Sequence, residues 1–316
     1  MRSRNRFRGG KKPKSKGSQH LRTYSFIITL ALLALIVAAS SIESRPKVER
    51  IPPNFMFSPQ PWMVFVPARL HYVGYINFEK AYAIYKDVGL FGTANLIQLY
   101  QLNFTISPQD VIYEVDVQLL DTNTAVTLLR LHDFTLNILE SKLANSLNLP
   151  SWSYGRYLIH GLLMRTPDQQ KLTLGFLSLV DGNLLLSLDE TAGKQEVQTI
   201  LDQISSGAPS LFSNSTVQRA VFASGVTDLS YVGLFIGLFP SQLQGSVMIV
   251  KSIIPSENTI LVTRSVLFPS QDAAQNQYGE AQRVYSNARS YRILDSWLVI
   301  SYQYTTDKLK GELTGI

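Results

Sequence analysis

The chain has 316 residues, 45% of them hydrophobic and 16% charged, and it contains no cysteine. That balance belongs to a folding chain rather than a disordered one, and the missing thiol excludes disulfides, thiolate metal sites, iron–sulfur clusters and cysteine nucleophiles together. The formal charge of +6 is local: nine Lys/Arg and no acid fall in residues 1–22, and removing those nine from 29 leaves 20 basic residues against 23 Asp/Glu, a net charge of −3 for the remainder. A basic ligand-binding face on the main body is therefore not expected.

Residues 1–23 mix basic residues with Gly, Pro and Ser and read as a disordered cytoplasmic tail. From Tyr24 to Ile42 the chain runs YSFIITLALLALIVAASSI, nineteen residues without a charge. As a helix that run is roughly 28 Å long, one hydrocarbon core. The basic flank before it outweighs the mixed flank after it, where Arg45, Lys47 and Arg50 are diluted by Glu43 and Glu49. The positive-inside rule then keeps the N-terminus in the cytoplasm and sends the rest across. The expectation is a single-pass cell-membrane protein, held in the lipid bilayer by an uncleaved signal-anchor helix at 24–42. The competing reading is a signal peptide cut after Ala39, against which stand the long basic region and an apolar run beyond the usual h-region. Phe7 is the one aromatic ring among the tail's charges, so the tail is read as topogenic and lipid-facing, with no nucleic acid expected as partner.

Residues 43–61 form a charged, proline-bearing spacer, and a fold begins near Trp62. Alternation and β-branched or aromatic residues predict a strand over 69–77, with a helix over 78–85. Strands follow at 111–120 and 125–131, split by a turn at Asp121-Thr122-Asn123-Thr124. Asp133 is placed as the N-cap of an amphipathic helix reaching about Asn148, with Phe134, Ile138, Leu139, Leu143 and Leu147 on its apolar face. Strands at 156–165, 171–180 and 184–188 make a meander, the last two joined at Asp181-Gly182-Asn183. A helix over 190–204 carries Val197, Ile200, Leu201 and Ile204 on one side. A short helix at 216–222 comes next, then strands at 229–239, 247–254 and 259–268, a helix over 272–288 and a closing strand at 291–304. The run Leu229–Phe239 is the most apolar after the anchor, but eleven residues are too few to cross a bilayer as a helix, so it reads as a buried strand. Sheet followed by helix occurs twice, with hairpins outnumbering long crossovers, and the fold class expected is α+β. The expected units are 62–210 and 211–316, or one continuous domain.

Four stretches carry a resemblance: Phe65-Val66-Pro67 leading into Tyr72-Val73-Gly74-Tyr75, Leu131-His132-Asp133-Phe134 opening a helix, Leu186-Ser187-Leu188-Asp189 before another, and Ala208-Pro209-Ser210-Leu211. Over about residues 63–225 the chain resembles prokaryotic extracytoplasmic α+β domains of unassigned activity carried on one N-terminal span. The resemblance implies a fold and no activity.

His71, His132 and His160 stand singly, without the helical spacing of a metal pair, and are read as structural. No Gly-x-Ser-x-Gly elbow, Gly-x-Gly-x-x-Gly or P-loop pattern occurs, so no catalytic residue, metal or cofactor is assigned. Asn103-Phe104-Thr105 and Asn214-Ser215-Thr216 match the N-glycosylation acceptor, which makes Asn103 and Asn214 candidates on a body outside the cytoplasm. The function expected is a non-catalytic binding or assembly module of the cell envelope, its partner another envelope protein or a second copy. The alternatives are an envelope hydrolase or transferase, and a lipid-carrying domain.

Overall fold

The structure is a computed structural model that describes residues 46–313 apart from 53–58, 85–96, 121, 123–124, 147, 166–171, 227–229 and 240. The expected tail and the Tyr24–Ile42 anchor lie outside the described residues. Among those described, no helix is long and apolar enough to cross a membrane.

Residues 47–316 form one compact unit, and the class is α+β. The described strands are β1 (Val48–Glu49), β2 (Tyr72–Asn77), β3 (Ile97–Leu99), β4 (Phe104–Ile106), β5 (Val111–Gln118), β6 (Ala125–Leu131), β7 (Ser151–Tyr154), β8 (Tyr157–Arg165), β9 (Thr173–Val180), β10 (Asn183–Ser187), β11 (Gly233–Gly237), β12 (Met248–Ser256), β13 (Thr259–Leu267), β14 (Ser290–Leu294) and β15 (Trp297–Thr305). The α-helices are α1 (Phe78–Ile84), α2 (Asp133–Ala144), α3 (Gly193–Ser206), α4 (Ser215–Ala223), α5 (Gln271–Asn276), α6 (Tyr278–Val284) and α7 (Leu309–Glu312). All the strands join one sheet in the order β1-β14-β15-β13-β12-β11-β2-β5-β6-β10-β9-β8-β3-β4, with β7 also on β8. Every pairing is antiparallel except β1 with β14. The join between the halves is β2, which pairs β5 on one side and β11 on the other.

Two-residue turns set the register of four hairpins, closing at Tyr154↔Tyr157, Val180↔Asn183, Ser256↔Thr259 and Leu294↔Trp297. At Asp181-Gly182 both residues take positive φ, 46° and 76°, the primed geometry that matches strand twist. A Cβ on Gly182 would also meet Arg130 Nη1 at 2.1 Å, because that guanidinium donates to Gly182 O at 2.8 Å.

Side chains alternate between the two faces of the sheet. One face carries Val73, Tyr75, Val115, Val117, Leu234, Ile236, Val250 and Val299, buried against α3, α4 and the 3-10 turn Pro61–Phe65 with its Trp62. The opposite face is divided. Phe235, Ile253, Val262 and Ile300 pack with alanines of α1, α5 and α6 and with Leu309 of α7. Leu129, Leu131, Leu162, Met164, Leu177 and Leu184 pack under Leu136, Leu139 and Leu143 of α2.

Several elements depart from the expected ones. Asp133 is the first residue of α2 and His132 its N-cap, with no side-chain cap bond. The Asp133 carboxylate lies 3.9 Å from Arg130 Nη2 instead, in the first turn where negative charge suits the helix dipole. The buried stripe of α2 is Thr135, Leu136, Leu139 and Leu143, while Phe134 is 77% exposed. Thr135, on that buried stripe, donates from Oγ1 to Asp110 Oδ1 at 3.0 Å. The single closing strand is a hairpin, β14–β15, turning at Asp295 with φ 52°. The Asp295 carboxylate accepts from Ile51 N at 3.3 Å and pairs with Arg219 of α4, so the turn is fixed by partners distant in sequence. The helix expected over 272–288 breaks at Gln277 into α5 and α6. The strand expected from Arg69 starts at Tyr72. Strands β1, β3, β4 and β7 are not among the expected elements, β1 lying in the stretch 43–61 read as a spacer; each is four residues or fewer, too short to show a period.

Candidate functional site

A cleft of about 570 Å3 opens between the C-terminal end of α2 and the β7–β8 hairpin. Its floor is the sheet face bearing Leu158, His160 and Leu179, its wall Leu143 and Ala144 of α2 with Leu149 beyond, and its rim Glu140, Ser146, Ser151 and Arg156. Ser151 is the cross-strand partner of His160, and Ser153 that of Leu158. Leu158 is 50% exposed although it is paired within the sheet, and its partner on β7 is only a serine.

The His160 imidazole is half-buried, and its Nδ1 is buried with no hydrogen-bond partner among the described residues. Burial pushes its pKa down, which keeps the ring neutral at pH 7. Arg156 is held at the rim: Nη2 donates to the Tyr157 hydroxyl at 2.6 Å and stands 3.6 Å from Asp181 Oδ1. Glu140, also at the rim, is exposed and forms no ion pair among the described residues. The other two histidines sit elsewhere. His132 caps α2 at 3.7 Å from Glu79 of α1, and His71 leads into β2 with its backbone N–H on Gln118 O. The three described histidines do not meet, and among the described residues no group of three or more His, Asp or Glu is arranged to hold a metal.

Sequence reasoning passed over a carboxylate pair. Glu114 and Asp116 lie two apart on β5, hence on one face, between the two apolar clusters of that side. Asp116 accepts from Thr127 Oγ1 at 2.6 Å and is bonded to Glu114. Gly74 is the cross-strand partner of Asp116, and a Cβ there would meet the Tyr72 hydroxyl at 2.5 Å. Its missing side chain leaves room for that ring. Burial raises the Glu114 pKa well above the usual carboxylate range, and the neighbouring Asp116 raises it further. Asp116 is raised by burial too, with its hydrogen bonds to Thr127 and Glu114 pulling it back. The same burial and the two carboxylates push Tyr72 up. The alternation of acid with valine in Glu114-Val115-Asp116-Val117 places both acids on one face, but it reads equally as a solvated face.

A buried cation also escaped notice. Lys251 of β12 is 2% exposed; its Nζ lies 3.2 Å from Glu312 Oε2 of α7, bonds the Glu312 carbonyl as well, and stands 5.5 Å from the Phe235 ring.

Of the two glycosylation candidates, Asn103 is exposed at the end of a 3-10 turn with φ 43°. Asn214 is exposed and caps α4, its Oδ1 accepting from Thr216 N at 2.8 Å.

By fold and site this is an α+β protein on one largely antiparallel sheet, with an open cleft of mixed polarity at one end. No protein-family model matches the chain, and no curated protein matches it. Among solved structures it is similar to TP0453 of Treponema pallidum. The likeness to crystal form IV has a TM-score of 0.46 at 9% identity over 82% of this chain and 98% of that one. Form I gives 0.45 at 9% over 80% and 96%, and form III 0.42 at 10% over 80% and 97%.

Proposed function

We propose that the chain is a single-pass membrane protein, N-terminus in the cytoplasm, whose folded body lies outside it and binds or assembles with another envelope component rather than catalysing a reaction. The observation that carries this is the uncharged nineteen-residue run Tyr24–Ile42 behind nine Lys/Arg and no acid. Its complement in the fold is the cleft, whose apolar floor and polar rim form a surface suited to binding. A nucleophilic triad needs an acid that orients the imidazole, and the buried Nδ1 of His160 meets no such group among the described residues. The Glu114–Asp116 pair is tied to Thr127 and spends its acidity internally. Asn103 and Asn214, both exposed, are the positions at which such a body would accept glycan.

The test is alkaline carbonate extraction of membranes followed by protease treatment of intact cells, with tags at both ends. The body should stay with the membrane and be digested from outside while the N-terminal tag survives. Release of a soluble protein whose mass lacks residues 1–39 would replace the anchor with a signal peptide. Cross-linking at the surface, then capture, reads out the partner; a body that captures neither another envelope protein nor its own copy defeats the binding role.

A further inference from the structure

Among the described residues, strand β7 is a sheet edge that pairs on one side only. Gly161 N donates to Pro150 O, so Pro150 and Gly161 form a hydrogen-bonded pair, and by the alternation of an antiparallel ladder Trp152 and Tyr154 also bond to β8. The N–H and C=O of Ser151 and Ser153 therefore point away from β8, and no described strand pairs with them. Ser-Trp-Ser-Tyr carries no Lys, Pro or bulge to guard the edge, and its protection lies in its length of four residues. The open edge is short. Farther along β8 the same side is taken by β3, through Leu99↔Met164, and Gln101 Oε1 accepts from Leu163 N. The turn between β3 and β4 thus closes one end of a notch about five residues long.

The cleft lies beside this notch. Ser151 and Ser153 share a face with His160 and Leu158, so residues of an added strand that exchange main-chain bonds with the two serines would carry their side chains onto that face. Both serines are exposed, and their small side chains leave Leu158 uncovered within reach of the neighbouring row. At the rim the exposed carboxylate of Glu140 lacks an ion-pair partner among the described residues, which sets the sign of charge that complements the site.

We infer that β7 and the cleft together form a docking site for a short extended peptide segment of a partner protein, with apolar residues two apart and a Lys or Arg two residues further along, on the same face. The segment adds as a strand to β7, its backbone pairing Ser151 and Ser153, its apolar side chains covering Leu158 against Leu143 and Leu149, and its cation facing Glu140. This is strand addition with a pocket for alternate side chains, and it rests on the binding-module reading above.

The experiment uses the full chain in lipid nanodiscs and a fluorescent, acetylated probe of sequence Lys-Thr-Leu-Thr-Leu, whose Lys and two Leu share one face of a strand, followed by polarisation. The probe should bind saturably. Binding should fall about tenfold or more when both leucines of the probe become serine, when its leucine amides are N-methylated, or when Leu158→Glu is made in the protein. Glu140→Gln should weaken it less, and only at low salt. The N-methyl probes leave the protein untouched, so their result does not depend on how a variant folds. No saturable binding, or binding indifferent to N-methylation and to Leu158→Glu, overturns the proposal. So does concentration-dependent dimerisation that excludes the probe, which would assign the edge to a second copy. Recovery of a cleaved probe would instead refute the non-catalytic reading while leaving the site in place, and the extraction experiment above tests the membrane tether independently.

Discussion

Removing Glu312 should damage the fold far more than removing its partner. Lys251 is 2% exposed, whereas the Glu312 side chain keeps 19% of its surface. Glu312→Ala removes the carboxylate that faces a buried ammonium group and leaves the Glu312 backbone carbonyl among its acceptors. Leaving a buried charge without its counter-ion costs on the order of 3–5 kcal/mol, and the surviving carbonyl places this case near 3. For a unit of this size that corresponds to a fall in Tm of roughly 6–12 °C. Lys251→Met, nearly isosteric, removes the buried charge and leaves a carboxylate that already reaches water, so stability should be unchanged or higher. The pH dependence adds a second readout. Burial holds the Lys251 pKa below its ordinary value, so the folded state binds fewer protons than the unfolded one and this group's contribution to stability rises with pH. Loss of Glu312 deepens the lowering, and the deficit of Glu312→Ala should shrink between about pH 7 and pH 10. Thermal melts of both variants in detergent at three pH values read it out. A silent Glu312→Ala together with a damaging Lys251→Met would refute the reasoning.

Glu114→Gln should stabilise the protein at pH 7.5 and flatten its pH profile. A carboxyl whose folded pKa is raised contributes stability fully below its unfolded value, about 4.3, and loses it as pH climbs toward the folded value; urea unfolding at pH 5 and 7.5 that gives wild type and variant the same slope would contradict this. On α2, Leu139→Ala should cost about 2–5 kcal/mol, while Phe134→Ser, at an exposed position, should stay within about 0.5 kcal/mol, the reverse of what the expected apolar face requires. At the second acceptor, Asn214→Asp abolishes the sequon but keeps a cap on α4, whereas Asn214→Ala should cost about 1 kcal/mol. Intact mass of the membrane-purified protein decides whether either asparagine carries glycan, an unshifted mass ruling out both.

Local chemistry made much of the fold legible. The Asp181-Gly182-Asn183 turn announced β9–β10 because few residues other than Gly accept the φ of 76° found there. The stripe Val197, Ile200, Leu201 announced α3 because a helix repeats every 3.6 residues, and all three are buried. The hairpin at Asp295 was hidden, since its partners Arg219 and Ile51 are remote in the chain. The cleft was hidden for the same reason, as it is assembled from α2, β7, β8 and β9, and β7 itself has too few residues to display a period.

By itself the sequence determined the charge asymmetry, the uncharged nineteen-residue run, the α+β class and most long strands and helices, because each of these is set by neighbours within a turn or a pleat. Only the tertiary structure decided that β2 joins both halves into one sheet, that Glu114 and Asp116 bond to each other in the gap between two apolar clusters, that Lys251 is buried against the last helix, and that an open strand edge lies beside a cleft. Those features depend on residues far apart in the chain being brought together, and no local pattern encodes which ones meet.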